Sequence, residues 1–363
     1  MALYNLYAEQ SVLGSILIEP ESILVANQFN LCVNDFYHPQ HQIIYNCIKK
    51  MDGQDMIKLA NEVKATVLDS PCVDDLFVDA SDISLDTTPS PSIETGFAPL
   101  DAATSGGLNF GTLTVLTGSP GSGKSTFLNQ ILANALSLGF NSFLYSGELT
   151  AQMALDWFYK TVANPIHLSF GVNSFGKTIK VTDEGVLQIN KWLKNKLFLF
   201  SKNAQADETN ISTVIEFLAV KKDVKLFVLD NLMTIECSGS DKYEKQINVI
   251  KSLKNLAKHY NIVIILVAHS NKNSIIRREP HVFDISGASE IANLSDYILN
   301  ATRDNDVETE TTILLLKNRI TGLIKKHLQL KFSPDRKRFY TNSKLELERD
   351  YGYGEVYEQE SFF

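Results

Sequence analysis

The sequence predicts an α/β protein with a mainly parallel sheet, preceded by a small all-helical domain. Beyond about residue 92, short apolar segments alternate with helical stretches, as is typical of parallel strands covered on both faces. The first fifty residues instead carry apolar side chains at helical spacing. A length of 363 residues suits one large core with a small appendage, and 44% hydrophobic with 21% charged residues is ordinary for a globular protein.

Two helices are expected near the N-terminus. The first covers residues 8–18 and ends before Pro20, and the second covers residues 40–51. Residues 69–92 are acidic and rich in Ser, Thr and Pro, which favours a linker. The predicted organisation is a helical domain at 1–68, a linker at 69–92, an α/β domain at 93–344 and an acidic flexible tail at 345–363.

Nine strands are expected in the α/β domain. Six are short and mostly apolar and are assigned to the parallel sheet, while the last three are assigned to a meander that finishes one edge. The six are 113–117, 142–146, 196–200, 226–230, 262–268 and 297–301, and the meander is 312–317, 327–332 and 338–341.

The charge is unevenly distributed along the chain. The net charge of −8 divides into −10 over residues 1–95, +7 over 96–344 and −5 over 345–363. A positive domain between acidic flanks suits a polyanionic partner, and solvated lysine-rich helices are the alternative. The four cysteines are scattered without a CxxC pair, so we expect a reduced, intracellular protein without a zinc ribbon. Because no apolar run reaches the length of a membrane span and no export signal is recognisable, we expect a cytoplasmic location and no membrane contact.

A phosphate-binding loop is the most specific feature of the sequence. The pattern GxxxxGK[ST] lies between the predicted strand 113–117 and a helical run at 126–138, where backbone N–H groups are able to curl around phosphates. Lys124 is expected to reach the β- and γ-phosphates and the Ser125 hydroxyl to ligate Mg²⁺. The loop therefore predicts a site for ATP and Mg²⁺. Its residues are Gly118, Ser119, Pro120, Gly121, Ser122, Gly123, Lys124 and Ser125, with Thr126 following.

Two carboxylates follow predicted strands of the same sheet. Asp230 ends an apolar strand about a hundred residues after the loop, in the Walker B pattern, and is expected to hold the Mg²⁺ shell. Glu148 lies just beyond the strand 142–146, at the edge where α/β proteins place their sites. It is predicted to be the general base for the attacking water. The alternative is that Glu148 only places a negative charge near the N-terminus of the following helix, where it interacts favourably with the helix dipole.

With these features in order, the chain resembles the DnaB-family replicative DNA helicases of phage or bacterial type, from residue 4 to about 341. Residues 8–14 (AEQSVLG) and 35–41 (DFYHPQH) resemble the N-terminal helical domain of that family. Residues 95–101 (TGFAPLD) and 106–108 (GGL) resemble the entry to its RecA-like motor. The resemblance implies a hexameric ring that hydrolyses ATP, moves 5′ to 3′ along single-stranded DNA and unwinds forked DNA.

The resemblance also implies roles for individual residues. Glu148 occupies the place of the catalytic glutamate, and His269 that of a residue that senses the γ-phosphate. Lys317 and Arg319 match a segment that reaches the ATP site of the neighbouring subunit, with Arg319 as arginine finger and Lys317 as its companion. Without the order of the motifs, Lys317 and Arg319 would be interpreted instead as basic residues that keep an exposed edge strand soluble. Arg303 completes the expected nucleotide-binding set.

Two segments are expected to contact single-stranded DNA. Residues 271–278 are polar and basic and fit a loop that grips phosphates without base stacking, with an unliganded surface loop as the alternative. Residues 284–290 resemble the loop-and-helix motif whose loop contacts DNA in the family. The expected DNA-contacting residues are Lys272, Arg277, Arg278, Ser286, Gly287 and Ala288.

The acidic C-terminal tail ends in Phe362 and Phe363. It resembles the Phe-ended tails with which phage primase–helicases dock on their polymerase, and a solubilising tail is the alternative. The expected partners are DNA polymerase, primase or a helicase loader, through the N-terminal domain or this tail. A fused primase is excluded because the sequence has no Cys/His cluster for its zinc ribbon. The rival function is that of a RecA-like, DNA-dependent ATPase that acts in recombination or loading without unwinding.

Overall fold

The computed structural model divides the chain into two units, Met1–Thr88 and Pro89–Phe363. It describes residues 6–36, 38–51, 55, 80, 90–173, 176–236, 242–269, 280–282, 288–303, 310–341 and 344–354. Most of the predicted linker lies outside these ranges, as do all the predicted DNA-contacting residues except Ala288. No helix within these ranges combines the length and the apolar character that a membrane span requires.

The first unit contains helices packed around a small apolar core. Glu9 is buried in this unit and accepts hydrogen bonds from the His41 ring, at 2.8 Å, and from the backbone N–H of His38, at 3.2 Å. The core side chains of the first unit are Leu13, Ile16, Phe36, Tyr45 and Ile48. The α-helices are α1 (Leu6–Ile18), α2 (Ser22–Gln28) and α3 (Pro39–Lys50), with a 3-10 turn at Val33–Asp35. The two predicted helices are present, and α2 was not predicted.

The second unit is built on strands connected by helices. The strands are β1 (Ser92–Ile93), β2 (Leu108–Asn109), β3 (Leu113–Gly118), β4 (Asn141–Ser146), β5 (Leu168–Asn173), β6 (Gly176–Val181), β7 (Leu197–Leu199), β8 (Val224–Asp230), β9 (Val263–Val267), β10 (Tyr297–Arg303), β11 (Glu310–Asn318), β12 (Lys326–Ser333) and β13 (Arg338–Tyr340). The helices are Ala98–Ala103, Lys124–Ser137, Ala151–Val162, Asp183–Leu193, Glu208–Lys221, Lys242–His259 and Ala288–Leu294, with 3-10 turns at Pro165–His167, Leu232–Thr234 and Lys344–Glu348.

Nine of these strands form one sheet in the order β13-β12-β11-β10-β3-β9-β8-β4-β7. The strands from β10 to β7 are parallel, whereas β11, β12 and β13 run antiparallel along one edge. The predicted α/β class, with a mainly parallel sheet and a meander at one edge, is confirmed. All nine predicted strands belong to this sheet.

The sheet is buried on both faces, which explains its nearly continuous apolar strands. Leu116 of β3 lies in one core cluster with Phe127 of the helix Lys124–Ser137. Leu113 and Val115 of the same strand lie in a second cluster with Leu253 of the helix Lys242–His259. Alternate side chains of one strand therefore serve two cores. Burial on both faces holds the strands in place, and with them the strand ends at which the candidate site lies.

The C-terminal segment differs from the predicted flexible tail at 345–363. Its residues up to 354 pack against the rest of the second unit, and Tyr351 and Tyr353 are buried there. The fully buried Arg338 donates hydrogen bonds to two backbone carbonyls of this segment. Acidic composition indicated disorder, but two tyrosines two positions apart supply the apolar surface that holds the segment in place. Residues 355–363 lie outside the described residues.

Candidate active site

The phosphate-binding loop joins β3 to the helix Lys124–Ser137 at the carboxyl edge of the parallel strands. Gly118 and Gly123 have positive φ angles of 142° and 85°, which L side chains rarely adopt. A Cβ atom on Gly118 would overlap the Ala301 carbonyl oxygen in β10, and one on Gly123 would overlap the ring of Phe339. Both positions therefore need glycine for the loop to pass between its neighbours.

Lys124 begins the helix and is buried beneath the loop. Its Nζ donates to the carbonyl oxygens of Gly118, at 3.0 Å, and Ser119, at 2.8 Å. Burial lowers the pKa of Lys124, and the carboxylates of Asp230 and Glu148 oppose that effect. A buried ammonium at a helix N-terminus is a strong binding group for a polyphosphate.

Ser125 and Asp230 bring a hydroxyl and a carboxylate together. The Ser125 Oγ donates to Asp230 Oδ2 at 3.0 Å. Burial is the main cause that raises the pKa of Asp230, the Ser125 hydrogen bond opposes it, and nearby Glu148 raises it further. Hard oxygen donors of this kind suit Mg²⁺, which keeps several waters and shares its coordination with substrate phosphates. These two residues fit a Mg²⁺ ion bound with a nucleotide.

Glu148, Asn231 and His269 form a contact triad at the ends of three neighbouring strands, β4, β8 and β9. The Asn231 Nδ2 donates to Glu148 Oε1 at 2.5 Å and lies 3.1 Å from His269 Nε2. The His269 Nε2 is 3.5 Å from Glu148 Oε1. Glu148 and His269 line the same cavity as Lys124 and Asp230, and Asn231 is buried behind them. A carboxylate there is able to polarise a water, and an imidazole is able to contact an anion.

The cavity has a volume of about 520 Å³ and a wall that the sequence reasoning did not identify. Lys337 Nζ lies 5.2 Å from the ring centroid of Trp157 and 5.7 Å from that of Phe332. Burial lowers the pKa of Lys337, and Lys160 contributes in the same direction. The predicted Arg303 also lines the cavity, and its guanidinium donates to the Gly121 carbonyl at 3.3 Å. A flat nucleobase beside the phosphate loop would meet this aromatic and cationic wall.

Lys317 and Arg319 do not join this cavity within one chain. They lie at the opposite, amino edge of the parallel strands, where Arg319 N–H donates to the Asp296 carbonyl at 2.8 Å. Ala301 pairs with Gly118 in the strand register, five residues beyond Asp296. Five strand residues span about 17 Å, more than an arginine side chain reaches. Arg319 therefore cannot contact a phosphate held by its own loop.

The two basic side chains bind the C-terminal end of the helix Ala288–Leu294. Lys317 Nζ donates to the carbonyls of Ala292, at 2.6 Å, and Ser295, at 2.7 Å. The Arg319 guanidinium donates to Asn293 O at 2.5 Å, and its side chain is half exposed. Burial, with Arg319 nearby, lowers the pKa of Lys317. Both side chains are thus engaged by backbone acceptors, and the Arg319 guanidinium, which also lies 3.6 Å from Asp296 Oδ1, remains half exposed at the surface.

The predicted DNA contacts remain predictions. Lys272, Arg277, Arg278, Ser286 and Gly287 lie outside the described residues, and Ala288 begins the helix that Lys317 caps.

Asn231 and the cavity wall of Trp157, Phe332 and Lys337 contribute to the site but were not predicted from the sequence. Asn231 has no sequence signal beyond its place directly after Asp230. The cavity wall had a weak signal, the basic and aromatic run at 336–340, which β13 places beside the loop.

Comparisons with known proteins identify related sequences for both units. Residues 92–341 match the family model of the DnaB-like helicase C terminal domain, and residues 1–68 match that of the DnaB-like helicase N terminal domain. A probable replicative DNA helicase from Trieres chinensis is 25% identical over 271 residues, 68% of this chain and 57% of that protein. The DNA repair protein RadA from Salmonella typhimurium is 26% identical over 198 residues, 53% of this chain.

The chain therefore spans 57% and 34% of the lengths of these two relatives. Among solved structures, a DnaB-like replicative helicase described with its interactions with primase superposes with a TM-score of 0.59. The sequence identity is 16%, and the superposition covers 92% of this chain and 99% of that chain. At this identity the match establishes a shared fold.

Proposed function

Because the chain belongs to the DnaB-like helicase family, we propose that it is an ATP-dependent DNA helicase. One observation carries the proposal: Lys124, Ser125, Asp230, Glu148 and His269 converge on one cavity at the carboxyl edge of four adjacent strands. A phosphate-binding group, oxygen ligands for Mg²⁺, a general base and a phosphate-contacting imidazole are what hydrolysis of a nucleoside triphosphate requires.

Each group has a distinct proposed task. Lys124 and the loop N–H groups bind the β- and γ-phosphates, while Ser125 and Asp230 hold Mg²⁺, which neutralises charge on those phosphates. Glu148 orients and deprotonates the attacking water. His269 contacts the γ-phosphate and changes its contact when that group leaves. Arg303 supports the loop through the Gly121 carbonyl.

A neighbouring subunit supplies the remaining cation in this proposal. Arg319 lies about 17 Å along the strands from the phosphate loop of its own chain but is half exposed. In a head-to-tail assembly it would reach the next subunit's γ-phosphate and stabilise the charge of the transition state, a contribution of about 10³–10⁵ in turnover. We therefore propose a ring, with six subunits and 5′ to 3′ movement as the family resemblance implies.

The proposed substrates and partners follow from the same reasoning. Single-stranded and forked DNA are the nucleic-acid substrates, gripped by Lys272, Arg277 and Arg278 and by the loop before Ala288. Because a solved relative is described with its interactions with primase, primase is a proposed partner. A helicase loader and DNA polymerase are the others, through the N-terminal unit or the extreme C-terminus.

Strand displacement on forked DNA tests this function. The wild-type chain with ATP and Mg²⁺ should release the strand, and Glu148→Gln should bind ATP yet turn over about 10²–10⁴ times more slowly. Lys124→Ala, the matched variant at the phosphate loop, should also lose nucleotide affinity. Normal turnover by Glu148→Gln would show that another group is the base.

The similarity to a DNA repair protein favours one rival function, a RecA-like ATPase that acts on DNA without unwinding. The same assay separates the two. ATP hydrolysis stimulated by single-stranded DNA without any strand displacement, at any fork geometry, would support the rival and exclude the helicase.

A further inference from the structure

Asn231 lies between the proposed general base and the proposed γ-phosphate contact. In the sheet, β8 lies between β9 and β4, so His269, Asn231 and Glu148 follow three adjacent strands in that order. Asn231 is buried, with 1% exposure. Its side-chain amide is the only group of the triad that contacts both of the others through hydrogen-bond distances of 3.1 Å or less.

The orientation of this amide is fixed by the backbone. The Met233 N–H, at the start of the 3-10 turn Leu232–Thr234, donates to Asn231 Oδ1 at 2.9 Å. A flipped amide would place its NH₂ group against the Met233 N–H, so that two donors would face each other. The oxygen must therefore face Met233, and the NH₂ group must face Glu148 and His269. Since the NH₂ group only donates, His269 Nε2 must accept. A neutral imidazole in this contact would therefore carry its proton on Nδ1.

We propose that Asn231 is a positioning residue that sets the Glu148 carboxylate and the His269 imidazole as one unit. The Glu148 side chain is 58% exposed, so packing alone does not fix its carboxylate. A displacement of either partner breaks one of the two hydrogen bonds made by the same NH₂ group. The base and the phosphate contact therefore change position together. The inference deepens the proposed ATPase function and rests on it for its kinetic consequence.

The substitution Asn231→Asp tests this role, and Asn231→Ser tests it without the added negative charge. Asn231→Asp is isosteric and keeps the oxygen that caps Met233, but it replaces the NH₂ donor with an acceptor. His269 should then donate from Nε2, so its tautomer should switch. Nitrogen-15 NMR of the full-length, histidine-labelled protein without nucleotide reads the tautomer at a pH where imidazoles are neutral, and loss of one signal in His269→Gln identifies it.

Asp207→Asn is the matched control. Asp207 caps the helix Glu208–Lys221 through a hydrogen bond from the Asn210 N–H, at 2.8 Å. This variant makes the converse carboxylate-to-amide exchange at an N-cap that does not line the cavity. It should leave the His269 tautomer and ATP turnover unchanged.

A kinetic cycle tests the link to Glu148. Asn231→Asp should lower kcat by about 10²-fold, as for a misplaced catalytic group. In a Glu148→Gln background the same substitution should lower kcat by much less, because the part of its effect that acts through the Glu148 carboxylate is already lost. Independent, multiplicative losses would overturn the proposal.

A second variant keeps the test decisive if Asn231→Asp does not fold. Asn231→Ser retains an N-cap oxygen and a single donor, so His269 should populate both tautomers. An unchanged Nδ1–H tautomer in every folded variant overturns the assignment. If the wild-type protein hydrolyses no ATP, the proposed function fails, while the tautomer result still decides what Asn231 orients.

Discussion

Two truncations should separate the packed part of the C-terminus from its last residues. Ending the chain after Gly354 removes only residues 355–363, with the two terminal phenylalanines. Ending it after Thr341 also removes the packed segment 344–354. We expect the first protein to fold and hydrolyse ATP normally and the second to be severely destabilised.

The magnitude follows from the contacts that the longer truncation removes. Tyr353 is fully buried, and its hydroxyl accepts from the Asn164 N–H at 2.8 Å. Deleting a large buried aromatic side chain costs about 3–5 kcal/mol, and Tyr351, 3% exposed, is lost with it. Arg338 loses the carbonyls of Leu347 and Arg349, which accept from it at 2.7 and 2.9 Å. Arg338 keeps its hydrogen bonds to Thr161 and Ala163, and each of the two that it loses adds about 1.5–3 kcal/mol. The summed losses match the whole free energy of unfolding of a typical domain, about 5–15 kcal/mol.

Urea unfolding monitored by circular dichroism measures the difference. The protein ending after Gly354 should keep the midpoint of the full chain, whereas the protein ending after Thr341 should lack a cooperative transition. Equal midpoints for the two truncations would refute the reasoning about Arg338 and the tyrosines. The shorter truncation also tests the docking proposal cleanly, because loss of stimulation by the cognate polymerase could not then be attributed to unfolding.

Three further outcomes are expected. Arg319→Ala and Lys124→Ala should each abolish ATP turnover. An equal mixture should restore it at about one quarter of the interfaces of a head-to-tail ring, those that pair an intact loop with an intact arginine. Turnover that survives in Arg319→Ala alone would exclude an arginine finger from the neighbouring subunit. Replacing Arg277 and Arg278 with alanine should reduce the salt dependence of single-stranded DNA binding by a slope of about one per lost phosphate contact, and an unchanged slope would remove this loop from the interface. Burial raises the pKa of Asp230, so its ionised form costs stability above the ordinary aspartate pKa. Asp230→Asn should therefore raise the free energy of unfolding at neutral pH by about 0.5–2 kcal/mol and raise the Tm with it, while Mg²⁺-dependent hydrolysis is lost; a lowered Tm would contradict this.

The sheet could be predicted because its signal is local. Each parallel strand is apolar on both faces, and a polar loop or helix start interrupts each one. The ribbon of β5 and β6 was missed because it stands apart from the main sheet and contains Gly171 and exposed side chains such as Val172. The packed C-terminal segment was missed for another reason, since its order depends on Arg338 and on tyrosine burial rather than on its own composition.

The candidate site also contains residues that could be predicted from the sequence and residues that could not. The phosphate loop is contiguous, so its residues could be identified from spacing alone. Glu148, Asp230 and His269 could be placed at one edge because each follows a parallel strand, and such ends meet. Lys337 and Trp157 lie 180 residues apart in the chain and meet only because β13 closes the sheet beside the loop. The basic and aromatic run at 336–340 is visible in the sequence, but no local pattern indicates that Lys337 meets Trp157.

The geometry of β10 joins the two halves of the proposed mechanism. Its carboxyl end contacts the phosphate loop through Ala301, and its amino end holds Arg319 through Asp296. A site split along one strand is completed only by a head-to-tail interface, which forms a ring if the rotation between subunits closes and a filament if it does not. The proposed helicase and the rival ATPase would use the same active-site residues, so the closure of the interface is a separate property to measure. With nucleotide bound and at concentrations where the assembly is complete, a ring has one mass, whereas the mass of a filament grows with concentration. Light scattering therefore distinguishes a ring from a filament before any DNA is added.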